Sequence, residues 1–140
     1  MAKINFVGFQ EHVEIPEGFE LLEIKDEIQS SLSRDELFSY LSEPAKISEW
    51  FYQVLSLESK SSGKVSYISA KGATSQAICI AYDGGREISL LADEFGEFTG
   101  RVHGKKSANL SIKFRILTDN PEPIQGELMT RISNLRKIVA

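Results

Sequence analysis

A single cysteine, Cys79, is all the thiol chemistry this chain of 140 residues carries. No intrachain disulfide can form, so a bridged scaffold is excluded. Histidine is nearly as scarce, with only His12 and His103. These three soft ligands lie far apart without metal-site spacing, so no metal is expected. No apolar run approaches the ~20 residues that span a bilayer, which argues against membrane insertion. The stretch from Met1 to Phe9 has one lysine and too short an apolar block for a signal peptide. Lys and Arg number 16 against 20 Asp and Glu, a formal net charge of -4. Generic nucleic-acid binding, which needs a strong basic excess, is therefore not expected. There is no Gly-x-Ser-x-Gly elbow, phosphate-binding loop or dinucleotide fingerprint, and hence no expected cofactor. Gly84-Gly85 reads as a hairpin turn. Together these absences point to a reduced, cytoplasmic protein.

What remains is an ordinary globular composition, 41% hydrophobic and 26% charged, in a length that suits one domain. Residues 1–18 have an irregular pattern and read as an N-terminal extension that contributes at most a short strand. The domain proper is expected over 19–140. Leu22, Ile24, Ile28 and Leu32 alternate with Glu23, Lys25, Glu27 and Gln29, the two-residue period of a half-buried strand. Asp26 and Ser30 interrupt that pattern on its apolar face. Ser33 and Glu36 fit a capping box at the start of a helix whose buried stripe is Leu37, Phe38 and Leu41. Pro44 ends this helix and suits the first turn of a second, where Ile47, Trp50 and Phe51 would share one face.

Six strands are predicted next: 54–58, 64–69, 76–82, 87–92, 97–103 and 108–118. Turn-forming residues separate them, including Ser61-Ser62-Gly63, Lys71-Gly72, Asp83-Gly84-Gly85, Phe95-Gly96 and Gly104-Lys105-Lys106. The last strand is the clearest, since Leu110, Ile112, Phe114 and Ile116 alternate with Asn109, Ser111, Lys113 and Arg115. Beyond Pro121 and Pro123, the helical spacing of Ile124, Leu128, Ile132, Leu135 and Val139 marks an amphipathic helix. Arg136 and Lys137 fall in its last turn, where cations complement the helix dipole.

This order resembles the helix-grip fold of the START-like, birch-pollen-allergen superfamily. The run Leu37-Phe38-x-Tyr40-Leu41-Ser42-Glu43-Pro44-x-x-Ile47-x-x-Trp50-Phe51 is similar to the signature of small proteins related to the activator of the ninety-kilodalton heat-shock chaperone's ATPase. The architectural likeness covers roughly residues 20–140, and the motif about fifteen of them. It implies an α+β fold, a curved seven-stranded antiparallel sheet wrapped around a long C-terminal helix, with two short helices closing one end. It also implies an internal cavity for an apolar or amphipathic small molecule.

Candidate sites follow. Trp50 and Phe51 would either wall the mouth of such a cavity or plug the core. Asp26 is costly on an apolar face unless paired, hydrated or neutralised. It would be a polar anchor in the cavity, a bulged surface residue or the partner of a nearby Arg or Lys. Thr99, Arg101 and His103 share one strand face, opposite Phe98 and Val102, and read as solvated rather than as an anion site. Residues 11–27 hold seven acids and one lysine, and 101–115 hold five Lys or Arg and no acid. Glu23 and Glu27 would then face Lys113 and Arg115 across adjacent strands. Cys79 reads as an inert core thiol.

The expected function is non-catalytic binding of a small hydrophobic or amphipathic ligand, as carrier or sensor. Its pocket would be lined by Leu22, Ile24, Asp26, Trp50, Phe51, Ile78, Ile80, Tyr82, Phe98, Leu110, Ile112, Phe114, Leu128, Ile132 and Leu135. The alternatives are an enzyme of cyclase, aromatase or hydrolase type using a cavity carboxylate, and a chaperone-interacting module with a protein partner. A monomer is expected.

Overall fold

The computed structural model describes residues 15–104 and 106–140. Most of the expected N-terminal extension (residues 1–14), with His12, lies outside the described residues. The elements are β1 (Glu20–Gln29), α1 (Arg34–Ser42), α2 (Pro44–Ile47), β2 (Gln53–Leu57), β3 (Gly63–Ile68), β4 (Thr74–Asp83), β5 (Glu87–Ala92), β6 (Gly96–His103), β7 (Asn109–Thr118) and α3 (Pro121–Val139). All seven strands form one antiparallel sheet in the order β1-β7-β6-β5-β4-β3-β2. This is the expected helix-grip arrangement. The chain starts at one edge, crosses through α1 and α2 to the other, and returns strand by strand until β7 pairs with β1.

Alternation sets which face is buried. In β7, Leu110, Ile112, Phe114 and Ile116 all point into the core. Their partners across β1 are Ile28, Asp26, Ile24 and Leu22. On the other side, Phe98, Gly100 and Val102 of β6 stand opposite Phe114, Ile112 and Leu110. The stripe of α3 (Leu128, Ile132, Leu135 and Val139) is buried on this face.

Half of the capping box forms as expected: the Glu36 amide donates to Ser33 Oγ at 3.3 Å, while the Glu36 carboxylate accepts at 3.1 Å from the Ser33 hydroxyl rather than from a backbone amide. Pro44 opens α2, but the helix ends at Ile47. Trp50 and Phe51 lie in the turn beyond it rather than on its face. They are buried nonetheless, and Trp50 Nε1 donates to the Tyr40 carbonyl at 2.7 Å, which ties the turn back to α1. Gly100 lets α1 approach the sheet. A Cβ there would sit 2.8 Å from Leu41 Cδ1, closer than packed carbon atoms tolerate.

Strand β4 departs from the sequence reading. Ala77 and Cys79 point inward, and Ile78 is 50% exposed. The register shifts between Cys79 and Ala81, so Ile80 sits at a bulge. Past the bulge the phase is reversed, and Tyr82 returns to the α1 side with its ring 6.0 Å from Phe38. The run from Ala77 to Ala81 is apolar at every position, so its periodicity could not say which residues face the core.

Candidate functional site

The aromatic residues expected to wall a cavity pack against one another. Trp50 lies 5.6 Å from Phe98, Phe51 lies 5.4 Å from Phe98 and 6.2 Å from Phe114, and Phe98 lies 5.0 Å from Phe114, all between ring centroids. Between α2, β6 and β7 the interior is filled by rings. Ile24, Leu110, Ile112, Leu128, Ile132 and Leu135 are buried around them, and Leu22 packs at the margin.

Asp26 does point to the helix side of β1. Its carboxylate accepts from Arg136 Nη2 at 2.5 Å, and the two side chains are 37% and 44% exposed. A small groove of about 190 Å³ runs beside this pair, between Ile24 and Ile132. Ser30, the other polar residue on that face, is buried, and its hydroxyl donates to the Val139 carbonyl. The last carbonyls of a helix have no partner within it. The two interruptions in the strand pattern thus fasten the end of α3, which is the structural pairing weighed for Asp26 in the sequence.

A second depression, about 590 Å³, lies on the outer face of the sheet beside Lys25, Thr99, Arg101, His103 and Lys113. Its walls are long polar side chains standing on an open sheet, several already engaged. Arg101 pairs with Glu87 at 2.5 Å, and Glu27 accepts from Ser111 Oγ at 2.8 Å. The expected ion pairing is half realised here. Glu23 meets Arg115 at 3.2 Å, but the register sets Glu27 opposite Ser111 and Lys25 opposite Lys113. Glu97, opposite Arg115 on β6, is buried. Burial pushes its carboxyl pKa up, while Arg115 and Lys113 pull the other way.

A third depression, about 400 Å³, opens where the first half of α3 passes over the loop end of the sheet. It is lined by Tyr52, Ser69, Ala70, Lys71, Glu94, Ile124, Glu127 and Leu128. One helix and three connecting segments enclose it, an aromatic and two aliphatic side chains contribute its apolar surface, and two carboxylates and a lysine contribute its charge. That is the usual composition of a small-molecule site.

The polar groups of this mouth converge from four segments. Tyr52 follows α2, Ser69 to Lys71 form the β3–β4 turn, Glu94 sits in the β5–β6 turn, and Glu127 and Arg131 lie on α3. Tyr52 Oη donates to Glu127 Oε1 at 3.1 Å, and Arg131 Nη2 donates to the same oxygen at 2.9 Å. The Arg131 guanidinium lies 3.8 Å over the Tyr52 ring, and its Nη1 donates to the Phe51 carbonyl at 2.8 Å. Behind Tyr52, the Tyr67 and Phe95 rings stand 5.4 and 5.6 Å away.

Burial, then the charge of Glu127, pushes the Tyr52 phenol well above its ordinary pKa, with Arg131 opposing. Burial and then Glu94 do the same to Tyr67. Both phenols therefore stay protonated and serve as hydrogen-bond donors, not as bases. Cys79 is buried and its thiol pKa is raised by that burial, as suits an unreactive core residue. Among the described residues, no three His, Cys, Asp or Glu side chains cluster as metal ligands. No described helix is long and apolar enough to cross a membrane.

The sequence reading set Leu128 in an internal cavity rather than at this mouth, and did not single out Tyr52, Glu94, Glu127 or Arg131. Glu127 and Arg131 carried one local signal, their i, i+4 spacing on a helix. Tyr52 and Glu94 carried none.

No family model matches the chain, and no curated protein does. Solved structures share the fold. Protein MLL2253 from Mesorhizobium loti superposes with a TM-score of 0.68 at 15% identity, covering 84% of this chain and 96% of its own. EF2215 from Enterococcus faecalis, a conserved protein of unknown function, gives 0.64 at 14% identity over 89% and 73%. DynU16, from the dynemicin biosynthetic locus, gives 0.63 at 9% identity over 82% of this chain and 46% of its own.

Proposed function

We propose that the protein binds a small amphipathic or hydrophobic molecule without transforming it, as a carrier or sensor, at the mouth between α3 and the sheet. The observation that carries this reading is the 400 Å³ depression floored by Tyr52, Ile124 and Leu128 and rimmed by Lys71, Glu94 and Glu127. The site sits at the end of the ring-packed core and not in its middle, so the ligand enters beside α3. The enzyme alternative was built on Asp26, whose carboxylate is held by Arg136 at the opposite end of that helix. We assign the chain to the START-like superfamily on the strand order and the Leu37–Phe51 motif. A cytoplasmic setting, where the lone Cys79 remains a thiol, fits the same reading.

Titration with an apolar naphthalene sulfonate dye, followed by fluorescence and near-UV circular dichroism, tests the proposal. Saturable binding with the tertiary signal retained, weakened by the filling substitution Ile124→Trp, is the expected result. No saturable binding, or binding indifferent to Ile124→Trp, would overturn it.

One observation favours a second reading, a protein-interaction module resembling the chaperone activator. The core rings are densely packed, while Leu55 and Ile78 stand half-exposed on the sheet. A folded protein that binds no apolar probe at all would favour this reading.

A further inference from the structure

Among the described residues the sheet ends on β1 and β2, and its two ends differ. The register of β2 shifts between Val54 and Ser56, a bulge of the kind that blunts an edge. β1 pairs with β7 over ten residues without a shift, so its other side is a regular edge. An edge of this kind invites another strand.

Local hydrogen bonds show which way the preceding chain runs. Successive amides of a strand point to opposite sides, and the Ser30 amide donates to the Ala108 carbonyl at 3.0 Å, toward β7. The even-numbered amides of β1 therefore face β7, and those of Leu21, Glu23 and Lys25 face the edge. The Glu27 amide, of the same odd set, is taken by Asp26 Oδ1 at 2.8 Å, which closes the edge beyond Lys25. Phe19, also of that set, donates its amide to the Pro16 carbonyl at 3.1 Å, and Gly18 has a φ of 84°. This is a tight turn of the class that needs a positive φ at its third residue. It folds the chain back on the edge side of β1, antiparallel to the strand. Beside that edge a groove of about 190 Å³ runs toward α3, lined by Ile24, Met129 and Ile132 among others.

We infer that the occupant of this edge is the chain's own segment 10–14, immediately ahead of Ile15. The turn sets the register: Glu14 opposite Leu21, His12 opposite Glu23 and Gln10 opposite Lys25, each pair exchanging two backbone hydrogen bonds. Val13 then falls beside Leu22 and Glu11 beside Ile24, on the helix side, where Ser133 and Arg136 complete the groove lining. His12 stands opposite the Glu23 carboxylate on the outer face. The pairing covers the regular edge and so opposes edge-to-edge association of two copies.

Residue-resolved amide exchange of the full chain tests this. Gln10, His12 and Glu14 should exchange about tenfold or more slowly than Glu11 and Val13, with Leu21, Glu23 and Lys25 equally protected. Gly18→Val strains the turn, although a Cβ there meets no atom within 4 Å. It should speed those six amides about tenfold and leave Ile24 and Asp26 unchanged. Gly18→Asn, which tolerates the positive φ, should behave as wild type. Rapid wild-type exchange throughout 10–14 would overturn the inference. Slow exchange at Glu11 and Val13 instead would put the segment in another register and also overturn it. Protection confined to Leu21, Glu23 and Lys25 that falls on dilution, with a dimer in light scattering, would assign the edge to a second copy and overturn it too. Unchanged exchange in Gly18→Val would likewise overturn it, because the turn would not hold the segment. The wild-type pattern decides the matter even if Gly18→Val does not fold.

Discussion

In its last turn, α3 is fastened twice, by Arg136 to Asp26 of β1 and by the Val139 carbonyl to Ser30 just after that strand. In its first half the same helix stands over Tyr52 and Glu94 and leaves a depression of about 400 Å³. Both ends bury leucines of one stripe against one sheet. The difference lies in what the sheet offers. At the closed end, a regular strand presents polar groups on its inner face, within reach of the helix terminus. At the open end only turns and a loop meet the helix, and their side chains converge without filling the space. A binding site needs this second condition, and the first holds the helix in place while the mouth stays open.

The largest test of that comparison is a pair of truncations. Leu135→Ala at the closed end should cost about 4 kcal/mol, because its cavity cannot collapse. Leu128→Ala beside the mouth should cost about 2 kcal/mol, since water already reaches its neighbours. Urea unfolding of both variants measures this, and an equal or larger loss at Leu128 would contradict the picture of an open end.

Hydrogen bonds come next. Ser30→Ala strands a buried helix carbonyl and should cost about 1–3 kcal/mol. Tyr52→Phe removes one of two donors to Glu127 while Arg131 remains, and should cost about 0.5–1.5 kcal/mol. Amide exchange sharpens the contrast: Ser30→Ala should speed exchange in the last turn of α3 alone. Uniform acceleration along the helix would show that the end is not separately fastened.

Asp26→Asn should have a smaller effect, about 0.2–1 kcal/mol, because its pair with Arg136 is substantially exposed and screened. The loss should shrink further in high salt. Apolar-probe affinity at the mouth should not change, and a weakened affinity would return Asp26 to the binding site.

The smallest effect is one that should ignore the comparison. Glu97 lies on the outer sheet face with its pKa raised by burial. The native state therefore binds its proton more tightly than the unfolded chain. That contribution to stability is present below the unfolded carboxyl pKa and is lost as pH rises through the higher native value. Glu97→Gln should flatten the pH–stability curve in this window, equally in the Leu128→Ala and Leu135→Ala backgrounds. Unequal flattening would mean that the outer face is coupled to one end of the helix.

Much of the fold was legible because local patterns reported it directly. β7 alternates cleanly from Asn109 to Thr118, and the stripe of α3 repeats at helical spacing, so both elements emerge close to their observed bounds. β4 resisted because five consecutive apolar residues admit either phase, and the bulge at Ile80 uses both. Asp26 was recognised as an anomaly, but its partner lies 110 residues away. The mouth was the least legible part. Tyr52, Ala70, Glu94 and Glu127 come from four separate segments, and none belongs to a motif that would single it out.

By itself, the sequence determined the order of strands and helices, the N-cap at Ser33, and the burial of Trp50 and Phe51. These depend on the period of apolar residues and on backbone chemistry within a few positions. Only the tertiary structure decided that Asp26 and Ser30 hold a helix end, that the aromatic core is closed, and that Tyr52 and Arg131 converge on Glu127 at the open end of α3. Those outcomes depend on distances between residues remote in the chain, set when the sheet curves and α3 packs across it. No local pattern encodes such distances, because the packing of the whole domain fixes them together.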